Sequence, residues 1–507
     1  MDTRSRGPLI PRHIIPTRSK ESKIMRRFYE PLCMLRALGQ TRGAHTRQPP
    51  STDATIETRR RFLENLCYIC DFTRGGESCT AIGLEERPDK YQFWVSSNDQ
   101  IPKIVEFLNE ALKFLYRVSD SAKVDLATVN HFIQFCADFA KSRIEGEQKL
   151  IQAQARECIS KIQNRMTEAD GSSDIIVNNT SEIHRIDSGN IIPVLQILIN
   201  QKYPVRLCEF AHENRRSTWM TDLKALAFED ERELSPEDKR SPFFLVRHYI
   251  GRLSHHIRAP RQLLEDSFHM QHVLQTHTIM TVAPLAAIQP PLRGRHSNLR
   301  GIMNRMFHEH DVEKENVEAG LMHLHKITGL FDKFLTLYKR SDNCVHAEIK
   351  VLEHFYWSQL VFAGNDRFIA CSKPACLCCE LYFKHHPARI MTPSSHRKVW
   401  TNWSPPRVQD LTANKEMFIL QRRVMSKITH DVREQVINQA LQRTSQSPWH
   451  PDSRTGITES FVTGVQEISI EDQLSEASDI ESGSDSASSS ESERWSDIED
   501  GGVPLPA

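Results

Sequence analysis

Two short motifs, thirty residues apart, constrain this chain more than any other feature. Four of its twelve cysteines, Cys371, Cys376, Cys378 and Cys379, lie within nine residues. His346-Ala347-Glu348, the only His-x-Glu in a chain with 23 histidines, precedes them. In a chain of 507 residues such clustering is more typical of metal ligands or redox groups than of a disulfide framework.

The cysteine motif has the spacing of a metal site. Cys376 and Cys379 are three residues apart, so at the start of a helix both can turn toward one ion. The helix N-terminus also favours their deprotonated form. His346 would add an imidazole nitrogen. Three protein ligands leave a fourth zinc position for water, which distinguishes catalytic from structural zinc. The sequence therefore predicts a Zn²⁺ site held by His346, Cys376 and Cys379.

Glu348 gains a role from this arrangement. It follows His346 by two residues and would approach the water on the zinc without ligating the metal. Zinc lowers the pKa of such a water toward about 7. A nearby carboxylate can accept that proton and deliver it to a leaving amine. His-x-Glu followed by Cys-x-x-Cys is the known signature of zinc deaminases, in which the water attacks and ammonia leaves.

The motifs resemble those of the cytidine-deaminase-like superfamily, in particular a fungal group of deaminase-like proteins. The resemblance covers about residues 340–406 and includes a Ser-Lys-x-x-Cys-x-x-Cys form of the second motif at residues 372–379. It implies an α/β fold: a C-terminal α/β/α sandwich with a mixed sheet, preceded by a mostly helical N-terminal region. It also implies the same ligands and Glu348 as proton shuttle. Ala375 departs from the pattern, because many members have proline directly before the first cysteine.

Other ligand sets remain open at the level of sequence. Cys371, Cys378 and Cys344 are close to the proposed ligands along the chain and are the alternatives. A second Cys-x-x-Cys, Cys67 with Cys70, lies in an apolar helical stretch without a nearby His-x-Glu. We interpret those two cysteines as small buried hydrophobes.

Composition and periodicity suggest four parts. Residues 1–55 are predicted to be a disordered basic arm, and 56–319 a mostly α-helical region. Residues 320–455 are predicted to be the zinc deaminase-like domain with a trailing helix at about 414–443. Residues 456–507, rich in Ser, Asp and Glu, are predicted to be a disordered acidic tail. Strands are expected at 367–371, 389–391 and 398–400.

The charge and hydropathy patterns bear on the binding partners of the protein and on its cellular compartment. Residues 471–500 hold eleven acidic residues and one basic residue, so the tail is expected to suit a basic partner. No apolar run approaches the roughly 20 residues that span a bilayer, and no secretory segment is seen. An intracellular protein, cytoplasmic or nuclear, is expected, although the basic N-terminus is also compatible with a mitochondrial presequence.

Two functions of different classes fit these observations. The first is a zinc-dependent hydrolytic deaminase acting on a nucleobase, free or in nucleic acid, with the zinc-bound water as nucleophile. The alternative is a non-catalytic zinc-binding scaffold or interaction protein that keeps the deaminase-like fold. The sequence identifies neither the substrate nor the oligomeric state.

Overall fold

A four-stranded mixed sheet is assembled from segments far apart in the sequence. The computed structural model describes residues 20–121, 124–171, 188–233, 240–291, 297–307, 312–338, 343–409, 413–443 and 450–453. The strands are β1 Thr80–Glu86, β2 Tyr91–Ser97, β3 His277–Thr281 and β4 Ile369–Cys371, in the order β3-β2-β1-β4. β1 pairs antiparallel with β2 and β4, and β2 pairs parallel with β3.

Sixteen α-helices surround this sheet in the described part of the chain. The first nine are α1 Lys20–Leu38, α2 Ala54–Cys70, α3 Ile101–Ser119, α4 Leu126–Phe139, α5 Lys141–Gly171, α6 Ser188–Asn200, α7 Pro204–Asn214, α8 Thr218–Glu233 and α9 Pro242–His269. The others are α10 Gln271–Gln275, α11 Leu299–Met306, α12 Glu313–Thr328, α13 Leu330–Tyr338, α14 Ala347–Trp357, α15 Leu377–His385 and α16 Lys415–Gln442.

Helices cover both faces of the sheet because side chains alternate along its strands. Ile82, Phe93 and Val95 join a core with α2 and α3. Ala81 and Trp94 point to the opposite face and join a core that contains α14 and α15. The sheet is therefore the middle layer between two sets of helices; β1 and β2 are buried on both faces, whereas the edge strand β3 is partly exposed.

Gly83 lets α14 approach the sheet closely. A Cβ atom at this position would lie 2.5 Å from the Phe355 ring and 2.9 Å from Val351, both on α14. No real Cβ tolerates the shorter distance, so glycine at the centre of β1 sets the depth at which α14 packs. Because α14 begins directly after His346, this packing also sets the position of that imidazole.

Several predicted elements are confirmed. The trailing helix expected at about 414–443 is present as α16, and α2 and α3 are among the helices of the region predicted to be mostly helical. The strand expected at 367–371 is present as β4. The mixed α/β architecture, mostly helical with a C-terminal deaminase-like part, agrees with the sequence-based expectation.

Other predictions were wrong. The mostly helical N-terminal region also supplies three of the four strands, β1, β2 and β3, which the sequence did not predict. The strands expected at 389–391 and 398–400 are absent; Lys398 and Ser395 form only isolated bridges with Thr41 and Thr46. Residues 395–398 lie beside residues 41–46, an irregular segment that offers no regular edge for strand pairing.

The prediction that residues 1–55 form a disordered arm is wrong for Lys20–Leu38, which form α1. Met25, Phe28, Tyr29 and Leu32 recur at helical spacing and are fully buried, because α1 packs on α13 and α16. Residues 1–19 and the acidic tail at 456–507 lie outside the described residues. In the described part of the chain, no helix combines the length and apolarity needed to cross a membrane.

Helices α4 to α9 form a third core with a buried ion cluster at its edge. Glu147 of α5 is fully buried and accepts hydrogen bonds from Arg143, at 3.3 Å, and from Arg252 of α9, at 2.7 Å. The His256 imidazole lies 3.2 Å from its second carboxylate oxygen. The Arg143 guanidinium also donates to the Asp71 carbonyl, which ties this helical core to the end of α2.

Candidate metal centre

The three predicted ligands lie at the N-terminal ends of two helices. His346 is the N-cap residue of α14 and Cys376 is the N-cap residue of α15, while Cys379 is in the first turn of α15. Both helices therefore direct their free amide groups and the positive ends of their dipoles toward the same place. This arrangement favours negatively charged ligand atoms at the place where the two helix ends meet.

The ligand atoms converge. The His346 Nδ1 atom lies 3.3 Å from the Cys379 Sγ atom and 3.7 Å from the Cys376 Sγ atom. All three atoms are within 4.8 Å of one another, and no other group of His, Cys, Asp and Glu in the described residues has this compactness. The structure thus brings together residues that are thirty positions apart in the sequence.

The electrostatics pair a thiolate with an imidazole. Burial opposes ionisation of Cys376, but the Cys379 thiol and the His346 imidazole outweigh it and lower the pKa of Cys376 to about 6. Burial would lower the pKa of His346, yet the Cys376 thiolate raises it well above its ordinary value, helped by the Cys344 thiol. Burial and the neighbouring Cys376 raise the pKa of Cys379.

Glu348 lies beside this group, on the first turn of α14, and is almost completely buried. Its carboxylate is a hydrogen-bonding neighbour of the Cys379 sulfur and a charged neighbour of Cys376. The carboxylate therefore adjoins the edge of the site from the side of α14.

Two supporting contacts were not anticipated from the sequence. The Trp403 indole Nε1 donates a hydrogen bond to the Cys379 Sγ atom at 3.2 Å, and this tryptophan is fully buried against Phe28. The Asn98 side-chain oxygen accepts from the Ala347 amide at 2.9 Å, which fixes the start of α14 to the end of β2. Contacts of this kind orient metal ligands, but their partners are distant in sequence and carry no local motif.

The alternative ligands lie elsewhere. Cys371 faces Cys79, with the two Sγ atoms 3.6 Å apart. Cys378 is fully buried in the core that contains α14 and α15. Cys344 adjoins the His346 imidazole but is not among the converging ligand atoms. Cys67 and Cys70 are fully buried on α2, in agreement with their interpretation as small hydrophobes.

The donor set fits zinc. Tetrahedral zinc with Zn–S of about 2.3 Å and Zn–N of about 2.0–2.1 Å separates a sulfur from a nitrogen ligand by about 3.6 Å. The two sulfur–nitrogen distances here, 3.3 and 3.7 Å, bracket that separation. Two thiolates with one imidazole are ligands that zinc favours over magnesium or calcium.

Comparison with known proteins agrees with this site. Residues 345–407, about an eighth of the chain, match the family model described as "OTT_1508_deam:-like deaminase". No curated protein and no solved structure gives a significant match to the chain. The match contains all three ligands, Glu348 and Trp403, and it includes β4 but not the other strands. Fold and site together define a protein with a deaminase-like domain and a candidate His/Cys/Cys metal centre.

Proposed function

We propose that the protein is a zinc-dependent hydrolytic deaminase that acts on a nucleobase. The observation that carries the proposal is the convergence of His346, Cys376 and Cys379 at two helix N-termini, with Glu348 beside them. The match to a deaminase family model over the same residues supports the type of reaction. A nucleobase with an exocyclic amino group is the substrate class on which the His-x-Glu and Cys-x-x-Cys signature acts.

Each residue of the site has a defined task in this proposal. His346, Cys376 and Cys379 would hold the zinc, which supplies an activated water and an electrophilic centre when bound. Glu348 would hold the proton taken from the nucleophile and pass it to the departing amino group, so that ammonia leaves. Trp403 would keep the Cys379 sulfur in place through its indole N–H.

The remaining protein would shape access to the site. Asn98 joins β2 to the first turn of α14, and the Lys350 ammonium donates to the Ser97 carbonyl at 2.8 Å. These contacts prevent α14 from sliding along the sheet and so fix the distance between Glu348 and the ligands. We propose free nucleosides or nucleotides and single-stranded nucleic acid as the two forms of substrate to test.

The experiment is Glu348→Gln in the full chain. Ammonia release should be measured on a panel of bases, nucleosides and oligonucleotides, together with zinc content by mass spectrometry. Loss of the proton shuttle should lower turnover by about 10²–10⁴-fold with zinc retained. Glu315→Gln, at an exposed position of α12, is the control and should leave both quantities unchanged.

Two results would contradict the proposal. If the wild-type protein binds zinc but releases no ammonia from any member of the panel, the scaffold function is favoured. If Glu348→Gln turns over as fast as wild type, Glu348 is not the proton shuttle.

A further inference from the structure

A second sulfur pair lies outside the proposed ligand set and has no role in the proposed reaction. The Cys79 and Cys371 Sγ atoms are 3.6 Å apart, which is van der Waals contact for sulfur. Cys371 ends β4, and Cys79 directly precedes β1, with which β4 pairs. The antiparallel pairing of Ala81 with Cys371 brings these two thiols together although they are 292 positions apart.

The surroundings of the two thiols differ in a way that gives them different roles. The Ser372 hydroxyl donates to the Cys79 sulfur at 3.5 Å, and the Lys373 ammonium is a cationic neighbour of Cys79. The hydrogen bond from Cys371 lowers the pKa of Cys79 and outweighs the effect of burial. The same hydrogen bond is the main reason that the pKa of Cys371 is raised. The Ser372 hydroxyl and the Lys373 ammonium both adjoin Cys79 and would stabilise its thiolate, so we assign Cys79 as the nucleophile and Cys371 as the second thiol.

The pair lies near the surface and beside a glycine-containing turn. Cys371 is partly exposed and Cys79 is buried, so a small solute would approach the pair from the side of Cys371. Cys79 lies outside β1, at the end of a turn that contains Gly75 and Gly76. Gly75 has a φ of 105°, a conformation that favours glycine. A disulfide requires an S–S distance of about 2.0 Å, and this turn is the segment that would shift to close the gap.

We propose that Cys79 and Cys371 form a reversible oxidation site that reacts with hydrogen peroxide. The Cys79 thiolate attacks the peroxide oxygen: a sulfur–oxygen bond forms, the oxygen–oxygen bond breaks, and the departing hydroxide becomes water. The Cys371 sulfur then attacks the Cys79 sulfur and loses its proton. The sulfur–sulfur bond forms, the sulfur–oxygen bond breaks and a second water leaves. Two thiols are oxidised by two electrons, and one peroxide is reduced to two waters.

This site adjoins the candidate metal centre without sharing its ligands. Glu348 is a charged neighbour of both Cys79 and Cys371. A disulfide here would tie β4 to the residue before β1, immediately upstream of the segment that carries Cys376. The proposal goes beyond the deaminase function and is testable whether or not that function holds.

The experiment treats the full-length protein, with its metal bound, with a small excess of hydrogen peroxide. The protein is then denatured and alkylated, and its mass is measured. Of the twelve cysteines, two should become protected in wild type and should be released by a thiol reductant. Peptide mapping of the oxidised wild type should find a disulfide that joins residues 75–90 to residues 368–384, with the bond located at Cys371. Mapping of wild type needs no variant to fold.

Three variants assign the roles. Cys371→Ala should leave a sulfenic acid at Cys79 that dimedone traps, whereas Cys79→Ala should give neither disulfide nor dimedone adduct. Cys67→Ala, the control at a fully buried cysteine of α2, should form the disulfide like wild type. The proposal is overturned if wild type protects no thiol, if the protected thiols map to other cysteines, or if both single variants still protect two thiols.

Discussion

The metal centre and the ion cluster around Glu147 both bury charge, but they neutralise it differently. Glu147 is surrounded by Arg143, Arg252 and His256, all within 3.3 Å, so opposite charges within the chain balance it. At the metal centre, the Cys376 thiolate is paired with the His346 imidazole, while Cys379 and Glu348 add two further acidic groups beside them. One imidazole cannot balance two thiolates, and an uncompensated buried charge is unfavourable. The first region is therefore complete as folded, whereas the proposed metal ion would balance the second.

The largest effect is expected from breaking the complete cluster. Glu147→Gln leaves Arg143 and Arg252 buried with a neutral partner, and removing one partner of such a cluster costs about 3–5 kcal/mol of unfolding free energy. Urea unfolding followed by circular dichroism measures this loss of unfolding free energy. Glu110→Gln is the control, because Glu110 and Lys113 form an exposed pair worth at most about 1 kcal/mol. Equal losses in the two variants would mean that the cluster does not stabilise the helical core.

The next effect concerns the metal centre. Trp403→Phe keeps the ring in its buried position but removes the indole N–H that supports the Cys379 sulfur. Loss of such a supporting contact lowers metal affinity by about 10–100-fold. Competition with a chelator measures the affinity. Trp400→Phe is the control, since Trp400 is only partly buried and lies near Arg36. If both variants bind zinc as wild type does, the indole is only a packing group.

The smallest effect is a dependence of stability on pH. Burial lowers the pKa of His256 below its unfolded value of about 6.5, although Glu147 opposes the shift. As pH falls below 6.5 the unfolded chain takes up a proton that folded His256 does not, so stability should decrease. One such group contributes at most about 1.4 kcal/mol per pH unit. Unfolding free energies between pH 7 and pH 5 measure this slope.

The variant His256→Gln separates this contribution from those of other groups. In this variant the unfolding free energy should change less between pH 7 and pH 5 than it does in wild type. A second loss, below about pH 4.3, belongs to Glu147, because Arg252, His256 and Arg143 hold the pKa of this carboxyl well below its ordinary value against the opposing effect of burial. An unchanged slope in His256→Gln would show that His256 does not take part.

The two regions also differ in how far the sequence predicts them. His346, Cys376 and Cys379 could be proposed as a group, with Glu348 beside them, because each motif is local and lies at a helix start. The Glu147 cluster joins residues up to 109 positions apart, and no short pattern predicts such a contact. Trp403 and Cys79 were missed for the same reason, since each reaches its partner only through the fold.

The strands were also difficult to predict from the sequence. β2 is rich in aromatic residues and follows the turn signal Arg87-Pro88, but β1 has only two β-branched residues, Thr80 and Ile82, and no aromatic one. Both strands are buried on two faces, so they lack the alternation of polar and apolar residues that identifies a half-exposed strand. In α1, the basic composition concealed an apolar helical face.

The most direct test of the metal centre is the zinc content of two neighbouring cysteine variants of the full chain. Cys378→Ser and Cys379→Ser change adjacent, fully buried residues on the same turn of α15, so their effects on packing are closely matched. The structure predicts about one zinc per chain in wild type and in Cys378→Ser, and nearly none in Cys379→Ser. Zinc lost from Cys378→Ser and retained in Cys379→Ser would contradict the proposed ligand set.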